Sequence, residues 1–539
     1  MKKFHVFQVL ALVLALALAL AGCQSGGTSS SDSGSQSASG SDSGSGSSEL
    51  EAVVLEYYMP EKAQTDAEVV WEEINKYVTE KINATVNIHW IEGAEYGQRM
   101  SAIIGAGQTF DLCASPTSNL NFAVNAGNGA YKELDDLLPE YAPELLDELP
   151  DYVLEGGKVN GKIYGVPSYK DVADSYSILW NETMREELGV DKDALTADYN
   201  WIDEKYDIFV EFKEKRDAQY PELADIPVSS NFHANLDVWC SYDSVIGAAV
   251  TNVGGIEYFA DQGSGEKVFN IYDTPEYIEI CKNVRKFVDA GLLGEYNSNV
   301  DPDGTLGRAG QIPLSTGQGY VAIDPHLRSQ DFVTEMKRSN IALSSTAYLQ
   351  AAITAVSQTS ENPERAVMFM NLQYSDEYVA TASRFGVEGV NYNIVQDEEG
   401  NDRLDFTGTN NEDPSNRAYY NWYGAQWGNL FKCILPIDQP DNFFEELARM
   451  NEEAGEFETN LGFVFDQTNV ANEIAACASV IDEYRLPLLQ GAYPADQIES
   501  ICAEFVEKLN ANGIQDIVDE AQAQLNEWRA STGKSTYEG

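Results

Sequence analysis

The hydrophobic pattern after residue 50 alternates between strand-like and helix-like segments. Ala52–Tyr58 is an apolar run of strand length, and Val86–Trp90 alternates between apolar and polar positions. Between these segments Val70, Ile74 and Val78 recur at helical spacing and form one apolar face. Strands that alternate with helices favour a mostly parallel α/β sheet covered by helices on both faces.

Local signals predict where several helices and turns lie. Thr65 and Glu68 have the capping-box spacing, in which a hydroxyl and a carboxylate satisfy free N–H groups at a helix start. In Asn362–Glu364 the Asn can cap a helix and the Pro suits its first position. Tyr392–Phe406 has the pattern of a hairpin. Near the C-terminus Asn512–Gly513 separates two amphipathic segments, so we expect two consecutive helices there.

Two extended segments interrupt this alternation. Gly161–Tyr169 and Ala351–Ser357 contain short apolar residues without helical spacing, and a second set of strand and helix signals lies between them. We expect both segments to cross between two α/β lobes and to act as a hinge. The predicted N-terminal lobe consists of residues 50–168 and 350–415, and the predicted C-terminal lobe of residues 169–349 and 416–539.

The N-terminal region has the form of a secretion signal. The basic start Lys2–Lys3 precedes the run Val9–Gly22, which is rich in Leu, Ala and Val and is 14 residues long. A membrane-spanning helix needs about 20 apolar residues, so we expect residues 1–22 to be a signal peptide. Leu20–Cys23 resembles the lipobox of bacterial lipoproteins, and this resemblance implies that Cys23 is lipidated and becomes the mature N-terminus.

Composition and charge limit what the chain can bind. Residues 23–49 are mostly Ser and Gly after the Cys, a composition that buries little apolar surface, so we expect a flexible tether. The chain has 34 Lys and Arg against 87 Asp and Glu, a formal net charge of −53. Phosphate backbones and anionic lipid head groups both repel such a charge. We therefore expect no nucleic-acid partner and contact with the membrane through the lipid anchor only.

Patterns typical of catalysis or of metal binding are missing from the sequence. It contains no H-E-x-x-H, G-x-S-x-G or Walker pattern. Asn299–Gly304, with Asp301 and Asp303, resembles the start of a calcium loop, but its twelfth position is Gly310 instead of Glu. We expect no enzyme activity, cofactor or bound metal, and a surface glycosidase is the alternative. The scattered cysteines, whose pairing the sequence leaves open, are Cys113, Cys240, Cys281, Cys433, Cys477 and Cys502.

Several stretches, in their order along the chain, are similar to one protein family. They are Ala351–Asp376, Phe385–Tyr392, Trp422–Asn429, Gly462–Asp466 and Ala521–Trp528, with Leu314–Ile323 as a further match. Together with the lipobox they resemble the extracellular solute-binding lipoproteins of ABC importers, in the family 1 or carbohydrate-type class, and in particular the LipO-like long variant with a C-terminal extension. The resemblance implies a two-lobed, type II binding-protein fold that closes on a ligand and docks on a permease. It also implies a lipid-anchored monomer on the extracellular face of the cytoplasmic membrane.

A carbohydrate site needs aromatic rings that stack on a sugar and polar side chains that bind its hydroxyls. The aromatic candidates lie in loops and predicted crossing segments, where packing between lobes is the alternative role: Trp422, Tyr423, Trp427, Tyr169, Trp180 and Trp239. The polar candidates, for which a cap or turn is the alternative role, are Asp111, Asp324, Glu388 and Asn391. Trp71, Trp90 and Trp528 occupy helix or strand faces, so we expect them in the core.

These observations favour a protein that captures an extracellular sugar or oligosaccharide in an interlobe cleft and delivers it to an ABC permease. A peptide or another polar solute is the alternative ligand. A surface adhesion or sensory lipoprotein is the alternative class of protein.

Overall fold

The structure is a computed structural model that describes most of the chain after residue 49. The described ranges are residues 50–172, 176–196, 202–229, 244–246, 258–260, 265–294, 306, 311–312, 314–318, 332–336, 344–414, 416–421, 427–457 and 460–538. The predicted signal peptide, the tether with Cys23, and the calcium-loop candidates Asp301 and Asp303 lie outside these ranges.

The strands of the described ranges form one five-stranded sheet and several smaller sheets. In chain order they are β1 (Val53–Met59), β2 (Ala84–Trp90), β3 (Leu112–Ala114), β4 (Lys158–Val159), β5 (Lys162–Ile163), β6 (Gly165–Pro167), β7 (Tyr176–Asn181), β8 (Ser244–Ile246), β9 (Tyr258–Ala260), β10 (Val268–Asn270), β11 (Leu314–Gln318), β12 (Phe332–Met336), β13 (Ile353–Val356), β14 (Asn393–Gln396), β15 (Asp402–Asp405) and β16 (Leu435–Pro436).

The helices of the same ranges pack on these sheets. The α-helices are Ala67–Ile82, Gly93–Gly105, Thr117–Leu120, Phe122–Gly127, Leu137–Tyr141, Pro143–Glu148, Asp151–Glu155, Glu182–Leu188, Lys192–Thr196, Tyr206–Gln219, Pro275–Asp289, Thr346–Leu349, Pro363–Ser375, Glu377–Phe385, Phe443–Phe457, Ala471–Leu489, Ile498–Ala511 and Ile514–Ser531. The short 3-10 helices are Ile202–Lys205, Pro221–Leu223, Ile271–Asp273, Leu430–Lys432 and Thr468–Val470.

The five-stranded sheet has the strand order β2-β1-β3-β13-β6. β1 pairs in parallel with β2 and β3, whereas β13 pairs antiparallel with both β3 and β6. The carboxyl ends of β1, β2, β3 and β6 therefore lie at the same edge as the amino end of β13. We call this edge of the sheet the crossing edge, because the chain leaves β6 there and returns to β13 there after building a second lobe.

Buried apolar side chains form two main cores, and these cores define the lobes. The N-terminal core contains the five-stranded sheet together with helices such as Ala67–Ile82 and Pro363–Ser375. The C-terminal core contains the helices Tyr206–Gln219 and Pro275–Asp289 and all three C-terminal helices. A smaller cluster around Phe385 packs beside the N-terminal core. The two-lobed α/β fold predicted from the sequence is confirmed.

A third crossing between the lobes lies near residue 462. Leu461 is buried in the N-terminal core, and Phe463, only two residues later, is buried in the C-terminal core. Gly462 between them has a φ of 91°, a left-handed conformation that suits glycine because it has no Cβ. The hinge therefore includes a connection that the sequence analysis did not predict.

Two details of the fold differ from the prediction. Tyr419 and Trp427 belong to the N-terminal core, although the predicted boundary assigned residues after 415 to the C-terminal lobe. The capping box of Thr65 does not form, because the first helix begins after Asp66, which makes no side-chain cap. Contacts with residues more than 300 positions away override the local pattern in both cases.

No helix in the described ranges is both long enough and apolar enough to span a membrane.

Candidate functional site

The crossing edge collects aromatic and charged side chains from distant parts of the chain. Trp90 is the last residue of β2 and is paired in register with Met59, the last residue of β1. Glu61 lies two residues beyond that end of β1. Carboxyl ends of parallel strands are where α/β folds place their ligands, and here the same edge also carries the connections to the other lobe.

Trp427 lies at the centre of an aromatic cluster beneath this edge. Its side chain is fully buried, and its ring lies 5.5 Å from that of Trp71, 6.0 Å from that of Trp90 and 6.4 Å from that of Tyr57, centroid to centroid. Trp71 is buried with it, whereas Trp90 is only partly buried. The cluster therefore fixes the position of one indole that keeps an accessible surface at the crossing edge.

Glu61 is the charged group beside this cluster. Burial raises the pKa of the Glu61 carboxyl to about 7, while the positive charge of Arg384 and the indole N–H of Trp427 partly offset the rise. Burial in turn lowers the pKa of the Arg384 guanidinium, which is fully buried. Glu61 itself remains partly exposed. A carboxyl with a pKa near neutrality can both accept and donate hydrogen bonds around pH 7.

Backbone contacts hold the segment before residue 422 against the crossing edge. The Asn421 N–H donates to the carbonyl of Arg384 at 2.6 Å, and the Tyr420 N–H donates to Oε1 of Gln64 at 2.8 Å. Arg384 also donates to the carbonyl of Trp427 at 3.1 Å. Asn421 and Trp427 thus both lie beside Arg384.

A pocket of about 200 Å³ lies between the first two crossing segments. Its polar lining includes an ion pair between Lys170 and Asp171, and the Tyr348 hydroxyl donates to Oδ2 of Asp171 at 3.0 Å. The remaining lining residues are Ser168, Val172, Leu349, Ala351 and Ala352. The lining residues thus belong to, or lie directly beside, the two segments at which the chain leaves and re-enters the N-terminal lobe.

The arrangement suits recognition more than bond cleavage. It combines an indole, a carboxyl group and a paired lysine and aspartate, which can stack on and hydrogen-bond to a hydroxylated ligand. Among the residues that the structure describes, no cluster of three or more His, Cys, Asp or Glu side chains is arranged to hold a metal ion.

Two of the predicted aromatic ligand residues have packing roles. Trp427 has no exposed surface, because the segment that carries it packs beneath Trp90. Tyr169 is 8% exposed and its ring lies 4.5 Å from that of Phe431, while its backbone pairs with Asn429. Both side chains are therefore part of the scaffold in this structure.

Two of the predicted polar ligand residues have hydrogen-bonding roles in the scaffold. Asp111 immediately precedes β3, so it lies at the edge of the sheet opposite the crossing edge, where Ser360 donates to its Oδ1 at 2.6 Å. Asn391 is fully buried and donates to Oδ2 of Asp66 at 2.9 Å. Glu388 is exposed on the same loop as Asn391, and its contact with a ligand stays a prediction.

The other predicted residues stay predictions. Trp180 lies in β7, opposite Leu314 of β11, and its side chain is not described. Trp422, Tyr423, Trp239 and Asp324 lie outside the described residues.

Glu61 was not among the predicted residues, and Trp90 was expected in the core, against which it packs while staying partly exposed. Glu61 lies in the polar stretch Pro60–Asp66, which is typical of an exposed loop, but in the structure it is partly buried and its pKa is raised. The available signal was its position directly after the first predicted parallel strand, where ligand sites of α/β folds occur. Trp90 has the same signal, since it ends the second strand.

Comparison with known proteins assigns this fold to a family. The family model described as bacterial extracellular solute-binding protein matches residues 45–380, more than half of the chain. The chain belongs to this family. A second model, a domain of unknown function (DUF3502), matches residues 459–530 and so covers the third crossing and most of the C-terminal helices.

Individual members of the family resemble the chain over different lengths. It is 25% identical over 465 residues to a protein named carbohydrate ABC transporter substrate-binding protein from Streptococcus pneumoniae, a match that covers 84% of this chain and 86% of that protein. It is 22% identical over 277 residues to lipoprotein LipO from Bacillus subtilis, which covers 50% of this chain and 48% of LipO.

Solved structures show the same fold. The N-glycan transport solute-binding protein NgtS from Streptococcus pneumoniae, which is 22% identical, aligns over 89% of this chain and 99% of NgtS with a TM-score of 0.74. NgtS in complex with Man5GlcNAc aligns over the same shares with a TM-score of 0.64.

Proposed function

We propose that this family member captures a sugar or oligosaccharide between its lobes and delivers it to an ABC permease. The observation that carries the proposal is the pocket between the crossing segments, where Asp171 holds both Lys170 and the Tyr348 hydroxyl. Charged and hydroxyl groups in this geometry bind the hydroxyls of a polar ligand. The Streptococcus pneumoniae relative that covers 84% of this chain carries a carbohydrate transporter name, which supports a sugar over a peptide.

Transport rather than catalysis is the proposed role. A hinged protein can hold its ligand in the closed form and release it when a partner opens the lobes. We propose a monomer that docks on membrane permease subunits and leaves its ligand chemically unchanged.

We further propose that the protein is anchored through a lipid on Cys23 at the extracellular face of the cytoplasmic membrane, after removal of residues 1–22. The match to LipO, a lipoprotein, supports this anchor. Cells that express the Cys23→Ala variant should lose incorporation of labelled fatty acid into the protein and release it into the medium. Unchanged labelling of that variant would refute the anchor.

Binding of defined glycans tests the main proposal. Isothermal titration calorimetry of the purified protein should use Man5GlcNAc, kestose, an alginate oligosaccharide and a tripeptide as probes. We expect saturable binding of at least one glycan, no binding of the tripeptide, and recovery of the glycan intact by chromatography. Binding of the tripeptide alone, or cleavage of a glycan, would contradict the proposal.

A further inference from the structure

The indole of Trp90 has a defined position and an accessible surface. Its ring centroid lies 6.0 Å from that of Trp427, which is itself fixed by Trp71 at 5.5 Å. Trp90 ends β2 at the crossing edge and is partly exposed there. A rigid indole at such a place offers a flat apolar surface at a low entropic cost of binding.

A carboxyl group lies beside the same cluster. Glu61 lies two residues beyond Met59, the strand-end partner of Trp90, so Glu61 and Trp90 lie at the same edge of the sheet. Burial raises the pKa of the Glu61 carboxyl group, and the charge of Arg384 partly offsets the rise. The carboxyl group is partly exposed, so an aromatic face and a hydrogen-bonding carboxyl group are both accessible at this edge.

This pair of groups matches one class of ligand. A neutral pyranose has an apolar C–H face that can lie on an indole and hydroxyls that can donate to a carboxylate. An acidic sugar would meet the carboxyl group of Glu61 in a protein whose formal net charge is −53. Like charges placed together in a partly buried site disfavour binding.

We infer that Trp90 and Glu61 form a subsite for a neutral pyranose ring at the crossing edge, with Trp90 as the stacking surface and Glu61 as the acceptor for ring hydroxyls. The inference rests on the proposed function, because it specifies which sugars the interlobe cleft takes and which residues hold them.

Titration of the purified protein and of two variants tests the subsite. Probes are neutral Man5GlcNAc and kestose and an acidic alginate oligosaccharide. Each variant loses one contact to the sugar, a stacking surface or a hydrogen bond to a charged group, so Trp90→Ala and Glu61→Gln should each weaken binding of the neutral glycan by about tenfold. Trp90→Phe keeps an aromatic ring and should retain intermediate affinity, which gives a second readout if the alanine variant folds poorly.

Tyr206→Ala is the matched control. Tyr206 is also a partly buried aromatic residue, but it lies in the helix Tyr206–Gln219 of the C-terminal lobe, where its ring contacts Phe287, so affinity should stay within about twofold of the parent protein. Circular dichroism and thermal melting confirm that each variant is folded.

The outcomes separate the subsite from the proposed function. If the parent protein binds a neutral glycan and the Trp90 and Glu61 variants bind it equally well, the subsite is wrong and the function stands. If the parent protein binds only the acidic glycan, the subsite is likewise wrong and the function stands. If the parent protein binds none of the glycans, both the function and the subsite are wrong.

Discussion

The two lobes of this protein differ in where their buried charged groups lie. In the N-terminal lobe the fully buried Arg384 donates to the carbonyl of Trp427 near the crossing edge, and its charge lowers the raised pKa of the partly exposed Glu61. In the described C-terminal core Phe505 lies 4.8 Å from Tyr272 and stacks on Tyr484 at 5.2 Å, and the buried Arg216 and Arg529 donate to backbone carbonyls of their own lobe. The proposed subsite therefore uses a charged group at the edge of one lobe, whereas the buried charges of the other lobe hold its own backbone in place.

The largest loss of stability is expected from a substitution in the C-terminal core. Phe505→Ala removes a fully buried ring, and Phe-to-Ala substitutions in cores cost about 3–5 kcal/mol. Urea unfolding followed by far-UV circular dichroism should show this loss, while glycan affinity of the folded protein stays unchanged. Phe505→Leu keeps most of the volume and should lose clearly less. A loss of glycan affinity at full folding would contradict the division of roles between the lobes.

A smaller loss of stability is expected from a substitution at the contact between the C-terminal helix and the third crossing. Arg529 is 3% exposed and donates to Oδ1 of Asn460 at 2.8 Å and to the carbonyl of Gly265 at 3.2 Å. Hydrogen bonds to charged groups contribute about 1.5–3 kcal/mol, so Arg529→Met should lower the free energy of unfolding by about 2–3 kcal/mol.

Arg529→Lys is the control for charge at this position. It keeps the positive charge but loses the fork of donors, so we expect partial recovery of stability in urea unfolding. Full recovery by lysine would show that charge alone, without the fork geometry, holds the crossing segment.

The third prediction concerns pH and the N-terminal lobe. The pKa of Glu61 is raised to about 7 in the folded protein, above the value of about 4.3 for an unfolded chain. The folded state therefore binds more protons between these values, and the stability contribution is complete below about pH 4 and is lost as pH rises through 7. The Tm of Glu61→Gln relative to the parent protein should rise from pH 5 to pH 8.

Asp397→Asn is the matched control for this titration. Although partial burial opposes ionisation, hydrogen bonds from Asn401 and Arg403 lower the pKa of Asp397 to about 2. Asp397 is ionised throughout the range from pH 5 to pH 8, so its Tm difference should be constant there. A constant difference for Glu61→Gln as well would mean that Glu61 titrates normally.

The smallest loss of stability is expected when the cap of a helix in the N-terminal lobe is removed. Oδ1 of Asp376 accepts from the Val379 N–H at 3.0 Å and caps the helix Glu377–Phe385, and Tyr77 donates to its Oδ2 at 2.8 Å. Loss of such a cap costs about 1 kcal/mol. Asp376→Ala should show this loss in urea unfolding and Asp376→Asn should show less, because Asn also caps helices well. Equal losses would mean that the contact with Tyr77 outweighs the cap.

Elements specified by neighbouring residues were predicted from the sequence. The helices Ile498–Ala511 and Ile514–Ser531 and the β14–β15 hairpin follow from side-chain periodicity and turn residues that act within a few positions. The helix Pro363–Ser375 begins at the predicted Asn362–Pro363 step, although the Asn side chain makes no cap. The crossings at β6 and β13 were indicated by the same local patterns.

Features specified by distant contacts were not predicted. Asp66 starts its helix without a cap because its carboxylate accepts from Asn391 and Asn410, at sequence separations of 325 and 344. The burial of Trp427 and the environment of Glu61 depend on similar long-range packing. Composition can suggest that a tryptophan or a glutamate belongs to a site, but only the folded sheet determines which of these residues lie at its edge.

At Gly462 the chain passes from Leu461 in one core to Phe463 in the other. The helical tail beyond this glycine packs on earlier residues of the C-terminal core, as where Phe505 lies against Tyr272. A chimaera that takes this tail from a relative would therefore fold well only if the relative also supplied the matching residues of that core.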